Sequence, residues 1–166
     1  NLWAFGTQTD SIKFIPYGDV NPNGQSWRGL NIDYNYWEFD GHQRALFDYC
    51  VFKDAREVYI YLDNHEDNNS DSVVVRFNHC LVTENDGSGF SIHFNSRENQ
   101  HTTGYSEIKI LNSTIVKNRN HGIHLGNGWN TPLLINNCII HHNGSYDEGS
   151  EHNWGIWLES SGDNVV

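Results

Sequence analysis

The segment HGIHLG, residues 121–126, holds the residues of this chain that could most readily do chemistry. It places two histidines among glycines and apolar residues. Imidazole changes charge near neutral pH and can transfer protons, so the segment could belong to an active site. The same letters also fit an ordinary strand of a repeat protein. One interpretation predicts an enzyme and the other predicts a scaffold.

A second candidate site is the polar segment DNHEDNNSDS, residues 63–72. Its carboxylates are Asp63, Glu66, Asp67 and Asp71. Carboxylate and amide oxygens on a flexible loop can hold calcium, the one cofactor that the sequence suggests. The segment lacks the ordered Asp-x-Asp-x-Asn-Gly spacing of a calcium-binding loop, so a solvated acidic loop is the alternative.

Both segments belong to a chain that repeats itself. Four segments share one pattern, namely an apolar residue, Asp or Asn, any residue, Cys or Thr, and two apolar residues. They are LFDYCVFKD (46–54), RFNHCLVTE (76–84), ILNSTIVKN (110–118) and LINNCIIHH (134–142). A second shared piece follows each of them: EVYIYL (57–62), GFSIHF (89–94), GIHLG (122–126) and GIWLES (155–160). The segment HGIHLG is therefore the third of four equivalents.

The repeats predict strands that stack. Apolar residues alternate with polar ones, as Phe90, Ile92 and Phe94 do with Ser91 and His93. A single turn of this kind cannot bury its inner face and must stack on its neighbours. We therefore expect an all-β solenoid of about five turns. Equivalent residues should lie over one another, and these are Cys50, Cys80, Thr114 and Cys138 in an inward column and Asp48, Asn78, Asn112 and Asn136 in a corner column.

The three cysteines act as small core residues in this interpretation. An odd number in equivalent positions argues against a disulfide framework. A bridge between Cys50 and Cys80, one turn apart, stays open as an alternative, although side chains stacked in parallel point the same way. Cys138 is unpaired in either case.

The alternation also predicts which side chains point away from the core. If Val58, Ile60 and Leu62 point inward, two outward rows cross the strands of the shared piece. These rows are Tyr59, Ser91, His124 and Trp157, and beside them Tyr61, His93, Gly126 and Glu159. Sugar rings stack on Tyr and Trp, and His and Glu bond hydroxyl groups. The candidate glycan-binding residues are Tyr59, Tyr61, His93, His124, Trp157 and Glu159, with Trp129 and Tyr146 on loops beside them. A plain sheet exterior is the alternative.

Composition limits the partners. The 166 residues are 37% hydrophobic and 13% aromatic, which suits one domain spanning residues 1–166. A formal charge of −11 repels phosphate backbones and anionic lipid surfaces. The longest apolar runs are far shorter than the roughly 20 residues that span a bilayer. We expect neither nucleic-acid binding nor membrane insertion.

The repeats resemble the right-handed parallel β-helix of the pectate-lyase-like superfamily, with its Asn-x-Cys/Thr-Ile-x-x-Asn and Gly-Ile-x-Leu pattern. The beginning of the chain resembles a segment of secreted and surface-exposed bacterial β-helix proteins, in which a turn at Gly6-Thr7 is followed by strands at 12–14 and 27–30. The resemblance implies right-handed winding and a secreted or cell-surface location. That segment usually follows earlier strands, and SGDNVV at the other end reads as the start of a further rung. We therefore expect an excerpt of a longer chain with both solenoid ends open.

The resemblance also bears on catalysis. HGIHLG resembles the His-Gly segment of polygalacturonase-type glycosidases, which also carry an Asn-Thr-Asp, an Asp-Asp pair and an Arg-Ile-Lys. This chain has Asp86 alone at the Asp-Asp position and lacks the other two motifs. Lyases of the superfamily use a Lys or Arg base, and Lys117, Arg119 and Arg97 do not form a cluster. The sequence favours a scaffold or adhesive module that binds carbohydrate. The alternative is a polysaccharide-degrading enzyme, hydrolase or lyase, in which Asp86, Glu159, His124, Lys117 or Arg119 acts.

Overall fold

The computed structural model describes residues 1–16, 27–35, 43–64, 72–96, 105–126, 133–144 and 154–159. Every regular element in these ranges is a strand. The strands are β1 (Leu2–Phe5), β2 (Ile12–Phe14), β3 (Asn31–Asn35), β4 (Gln43–Asp48), β5 (Cys50–Lys53), β6 (Val58–Asn64), β7 (Ser72–Asn78), β8 (Leu81–Thr83), β9 (Phe90–Ser96), β10 (Tyr105–Leu111), β11 (Thr114–Val116), β12 (Ile123–Gly126), β13 (Leu133–Asn136), β14 (Ile139–His141) and β15 (Ile156–Glu159). In the described part of the chain, no helix is long and apolar enough to cross a membrane.

The chain winds through three parallel sheets in turn. The first sheet has the order β1-β4-β7-β10-β13, the second β2-β5-β8-β11-β14 and the third β3-β6-β9-β12-β15. Each strand thus pairs with the strand three places further along the chain. The fold is a right-handed parallel β-helix of about five turns, as the sequence predicted.

Two columns of left-handed residues mark the corners on either side of the second sheet. They are Tyr49, His79, Asn112 and Asn137 in the first column and Asp54, Glu84, Lys117 and His142 in the second. Their φ angles lie between 47° and 58°. The backbone bends sharply at each of these residues, so short strands can turn from one sheet to the next without a long connection.

The core is a set of columns of like residues. Phe47 stacks on Phe77 with ring centroids 4.8 Å apart, and Phe14 stacks on Phe52 at the same 4.8 Å. In the third sheet Phe90 and its neighbours at alternate positions point inward and are buried, which confirms the predicted alternation. Parallel stacking places each apolar ring against its equivalent in the next turn and so closes the interior.

The register corrects one member of the predicted inward column. Thr114 pairs with Leu81 and is half-buried, so the residue in line with Cys80 is Ser113. Ser113 is 1% exposed. Its hydroxyl accepts a hydrogen bond from the Cys80 N–H at 3.1 Å and donates one to the Leu111 carbonyl at 2.6 Å. Thr114 matches the sequence pattern of the cysteines, but in the core the position of a cysteine is taken by Ser113.

The predicted corner column shifts as well. The side-chain amide of Asn78 donates to Asp48 Oδ1 at 3.0 Å, and that of Asn112 donates to Asn78 Oδ1 at 2.8 Å. The next donor is Asn137, at 2.7 Å from Asn112 Oδ1, and not Asn136. We call this exposed chain of hydrogen bonds the outer amide ladder. Backbone pairing puts Leu111 in line with Asn78 and Asn136, so Asn112 is the predicted member that lies one residue out of the column. Asn112 and Asn137 instead share the left-handed corner.

A second ladder is buried. Asn118 Oδ1 accepts hydrogen bonds from the Asn85 backbone N–H at 3.2 Å and from the Asn85 side-chain amide at 2.9 Å. Asn143 Oδ1 accepts in the same way from the Asn118 N–H at 3.1 Å and its side-chain amide at 2.8 Å. We call this the inner amide ladder. It links the turns just before the third sheet and supplies partners to polar groups that water does not reach.

Near the beginning of the chain, the predicted turn is followed by the predicted strand at residues 12–14, which is β2 (Ile12–Phe14). Residues 27–30 are not the predicted strand. Trp27 makes an isolated bridge to Ala55, and Gly29 has a φ of 90° in close contact with the Glu57 carbonyl. The extended strand β3 begins only at Asn31 because Gly29 bends the backbone before it.

The three cysteines are free thiols. Cys50 and Cys80 are buried, whereas Cys138 is half-buried. Hydrogen bonding to Cys50 and burial raise the pKa of Cys80. The column is therefore a packing feature with an uncharged thiol at its centre.

Candidate functional site

The outward side of the third sheet carries the residues that alternation placed there. Tyr59 pairs with Ser91, Ser91 with His124, and His124 with Trp157. In the second row Tyr61 pairs with His93, and Gly126 stands between His93 and Glu159. Strand β3 extends the two rows by Asn31 and Asp33. We call these two rows the outer face. The predicted juxtaposition of its residues is confirmed, and their role in binding glycan stays a prediction.

Aromatic rings line the first part of the outer face. The rings of Tyr59 and Tyr61 are parallel within 5°, with centroids 6.5 Å apart. The imidazole of His93 lies 5.3 Å from the Tyr59 ring. These side chains are half-buried and stand on adjacent rigid strands. Such a surface can offer ring faces to a planar or ring-shaped ligand at little further entropic cost.

An imidazole and carboxylate cluster follows. His93 and His124 meet edge to face at 5.4 Å. His124 Nε2 lies 3.1 Å from Glu159 Oε2, and His93 Nε2 lies 3.0 Å from the Ser91 hydroxyl. Since an ionised carboxylate only accepts hydrogen bonds, the proton of this contact resides on His124 Nε2. The contact orients both side chains on the outer face.

Gly126 makes room for this cluster. A Cβ atom at residue 126 would lie 2.8 Å from His93 Nδ1 and 2.9 Å from His93 Cε1. The imidazole of His93 therefore lies over the backbone of β12, between Tyr61 and the carboxylate of Glu159. Strand alternation predicts Gly126 as a member of the row but does not reveal this role.

The structure adds two residues to the outer face that strand alternation does not predict there. His121 stacks on Trp157 with centroids 5.6 Å apart and planes 14° apart, and Trp154 lies 6.2 Å from Trp157. The backbone N–H of Trp154 donates to His121 Nδ1 at 3.3 Å. Trp154 is 50% exposed. The sequence does offer one clue to them, because each of these residues directly precedes the glycine of its rung.

Burial sets the protonation of the face. It lowers the pKa of His93, and the neighbouring His124 lowers it further, whereas Glu159 acts in the opposite direction. Burial also raises the pKa of Tyr59, with contributions from Tyr61 and from the negative charge of Asp33. At neutral pH the outer face therefore presents a neutral His93 and an intact phenol.

The other residues of the enzyme hypothesis lie elsewhere. Asp86 forms an ion pair with Arg119 at 3.0 Å, in the turn between the second and third sheets. Lys117 is exposed at a left-handed corner with a φ of 58°. The structure thus brings His124 and Glu159 together but places these three residues in the corner and turn before the strands that carry the outer face. Arg97 lies outside the described residues.

The calcium hypothesis lies largely outside the described residues. Asp63 belongs to strand β6, although its side chain is not among those described. Glu66, Asp67 and Asp71 lie outside the described ranges, as do Trp129 and Tyr146. Among the described residues no three His, Cys, Asp or Glu side chains are grouped so that they could hold a metal ion. The calcium site stays a prediction.

Comparison of the chain with protein-family models, curated proteins and solved structures finds no match. The assignment of the fold therefore rests on the strand pairing itself.

Proposed function

We propose that this chain is a β-helix module of a secreted or cell-surface protein, that it serves as a structural or adhesive scaffold, and that it binds carbohydrate on the outer face. The observation that carries the proposal is the convergence of Tyr59, Tyr61 and Trp157 with His124 and Glu159 on two adjacent rows. The resemblance to pectate-lyase-like proteins supports a secreted location and is part of the same proposal.

The outer face combines the two kinds of contact that sugars need. The C–H faces of a pyranose pack on tyrosine and indole rings, and its hydroxyl groups need donors and acceptors at the ring edges. Glu159 supplies an acceptor, and its 3.1 Å hydrogen bond from His124 Nε2 keeps both side chains in place before a ligand arrives. Because the rings stand on paired strands, little conformational freedom is lost on binding.

The spacing of the carboxylates favours binding over hydrolysis. Glycosidases use two carboxyl groups about 5 to 10 Å apart. In the row of Glu159 the other carboxylate is Asp33, four strands away. Four strand spacings amount to about 19 Å, too far for the two groups to act on one glycosidic bond. Within the described outer face, Glu159 therefore works with His124 and without a second carboxylate.

A binding experiment with a product assay tests the proposal. The protein is passed over a panel of immobilised neutral and uronate polysaccharides, while reducing ends and the absorbance of unsaturated products are followed. We expect retention on a neutral glycan without turnover. Replacing Trp157 by alanine should weaken retention by about 1 kcal/mol, or roughly fivefold in Kd.

Trp3→Ala is the matched control, because Trp3 is 62% exposed on the first sheet and away from the outer face. Equal losses for the two variants would argue against a site on the outer face. Turnover that disappears in His124→Ala would establish the enzyme hypothesis in its place.

A further inference from the structure

The outer face has a charge character of its own. Neither row contains lysine or arginine. Asp33 stands in the row at β3 and Glu159 at β15, and the side chain of Glu159 is 58% exposed. The hydrogen bond between His124 and Glu159 uses an N–H of the imidazole and adds no permanent positive charge to the rows. The two rows therefore carry negative charge and no permanent positive charge.

The aromatic rings of the outer face also favour a cationic ligand. The faces of tyrosine and tryptophan rings carry partial negative charge and attract ammonium groups. The negative charge of Asp33 reaches the Tyr59 ring, since it contributes to the raised pKa of Tyr59. His93 adds no opposing charge at neutral pH, because its pKa is held below the ordinary value. Ring faces and carboxylates together favour a cation and disfavour sulfate, phosphate or uronate groups.

Strand geometry sets the distance between the two kinds of contact. Trp157 and Glu159 are two residues apart on β15 and point to the same side of the sheet. Two residues of a strand span about 7 Å. That is similar to the length of one pyranose unit with its substituent, so a sugar ring on Trp157 can place a substituent at the carboxylate of Glu159.

We propose that the carbohydrate bound by the outer face is an amino-sugar oligosaccharide with free amino groups, whose rings pack on Trp157 and the tyrosines and whose ammonium group pairs with Glu159. This inference rests on the proposed function and narrows it from carbohydrate in general to a cationic glycan. Binding next to a carboxylate raises the protonated fraction of the sugar amine, so the pair forms at neutral pH.

A matched pair of ligands tests the inference. Glucosamine oligosaccharides and their N-acetylated counterparts of equal length are titrated into the protein at pH 7 by calorimetry. The two ligands share backbone and ring faces and differ in the charge of the substituent. We expect the amine form to bind roughly fivefold to tenfold more tightly, and the difference to shrink as salt is added.

Glu159→Gln should remove most of this preference, measured as the ratio of the two affinities within the variant, so that a general loss of binding does not enter the comparison. Asp10→Asn is the control, because it changes the net charge equally at an exposed turn before β2. Equal affinities of the two ligands for the unchanged protein would overturn the inference and leave the proposed function standing. Equal effects of the two substitutions would also overturn it, since the preference would then come from overall charge. If neither ligand nor any neutral glycan bound, the proposed function itself would fail.

Discussion

Replacement of Asn118 by alanine tests whether the inner amide ladder holds neighbouring turns together. Asn118 is 1% exposed. Its Oδ1 atom accepts two hydrogen bonds from Asn85, at 3.2 Å and 2.9 Å. Its amide nitrogen donates to Asn143 Oδ1 at 2.8 Å and to the Val82 carbonyl at 3.3 Å. The alanine variant loses all four of these contacts, while its own backbone N–H still reaches Asn143.

The expected loss follows from the groups left without partners. Two donors of Asn85, its backbone N–H and one amide N–H, would remain buried and unbonded. Each buried donor without a partner costs about 1 to 3 kcal/mol, so the free energy of unfolding should fall by roughly 4 kcal/mol. Since the whole stability of a domain is roughly 5 to 15 kcal/mol, the variant should unfold at a much lower urea concentration.

The outer amide ladder provides the control. Asn112 makes two similar hydrogen bonds, donating to Asn78 at 2.8 Å and accepting from Asn137 at 2.7 Å, but it is exposed. Its φ of 47° makes glycine the strain-free replacement. Asn112→Gly should cost below about 1 kcal/mol, because water replaces the lost partners. Urea unfolding followed by circular dichroism measures both variants. Similar losses in the two, or a loss below about 1 kcal/mol for Asn118→Ala, would refute the reasoning.

Three further predictions concern the outer face and the thiols. Because burial holds the pKa of His93 below 6.5 in the folded state, unfolding takes up a proton below about pH 6.5. Stability to urea should therefore decline more steeply between about pH 7 and pH 5 in the unchanged protein than in His93→Gln, and parallel declines would contradict this. Gly126→Ala should weaken glycan retention with little change in fold, because the added methyl group displaces the His93 ring, and unchanged retention would show that the ring position does not matter. A thiol reagent should label Cys138 in the native protein and reach Cys50 and Cys80 only on unfolding. Mass spectrometry of the labelled peptides measures this, and rapid labelling of all three cysteines in the native protein would contradict the prediction.

The fold could be predicted because alternation and repetition have one physical origin. Residues such as Phe90 and Ser91 differ in polarity, so their sequence order alone shows which one faces the core. The register of the third rung could not be read in the same way. Ser113 and Thr114 are adjacent, small and hydroxyl-bearing, and only the actual pairing of β10 with β7 shows which of them lies in line with Cys80.

Strand alternation also predicted most residues of the outer face, but the prediction left out two residues that lie in turns. Alternation along a strand gives the positions of Tyr59 and Trp157, since they belong to regular strands. His121 and Trp154 precede their strands, and their rings reach Trp157 from the turn. Strand periodicity says nothing about such residues. Their stacking on Trp157 depends on how one turn lies over the next.

The segment HGIHLG divides into residues that the solenoid requires and residues that it does not. A Cβ atom at Gly122 would lie 2.5 Å from the Gly155 carbonyl oxygen and 2.8 Å from the Asn143 amide nitrogen. At Gly89, one turn earlier, it would lie 2.6 Å from the Gly122 carbonyl oxygen and 2.8 Å from the amide of Asn118. The next turn and the inner amide ladder fill this space, so the glycine recurs for packing and needs no catalytic explanation.

The buried Ile123 and Leu125 follow from packing in the same way. The two histidines do not, because stacking of the turns makes no demand on an outward side chain. His121 stacks on Trp157, and His124 holds the carboxylate of Glu159. Packing therefore explains the Gly-Ile-x-Leu part of the likeness to a glycosidase segment, which any rung of this kind requires, and leaves the histidines unexplained. The two imidazoles are the part of the segment that packing does not explain, and their contacts place them on the outer face.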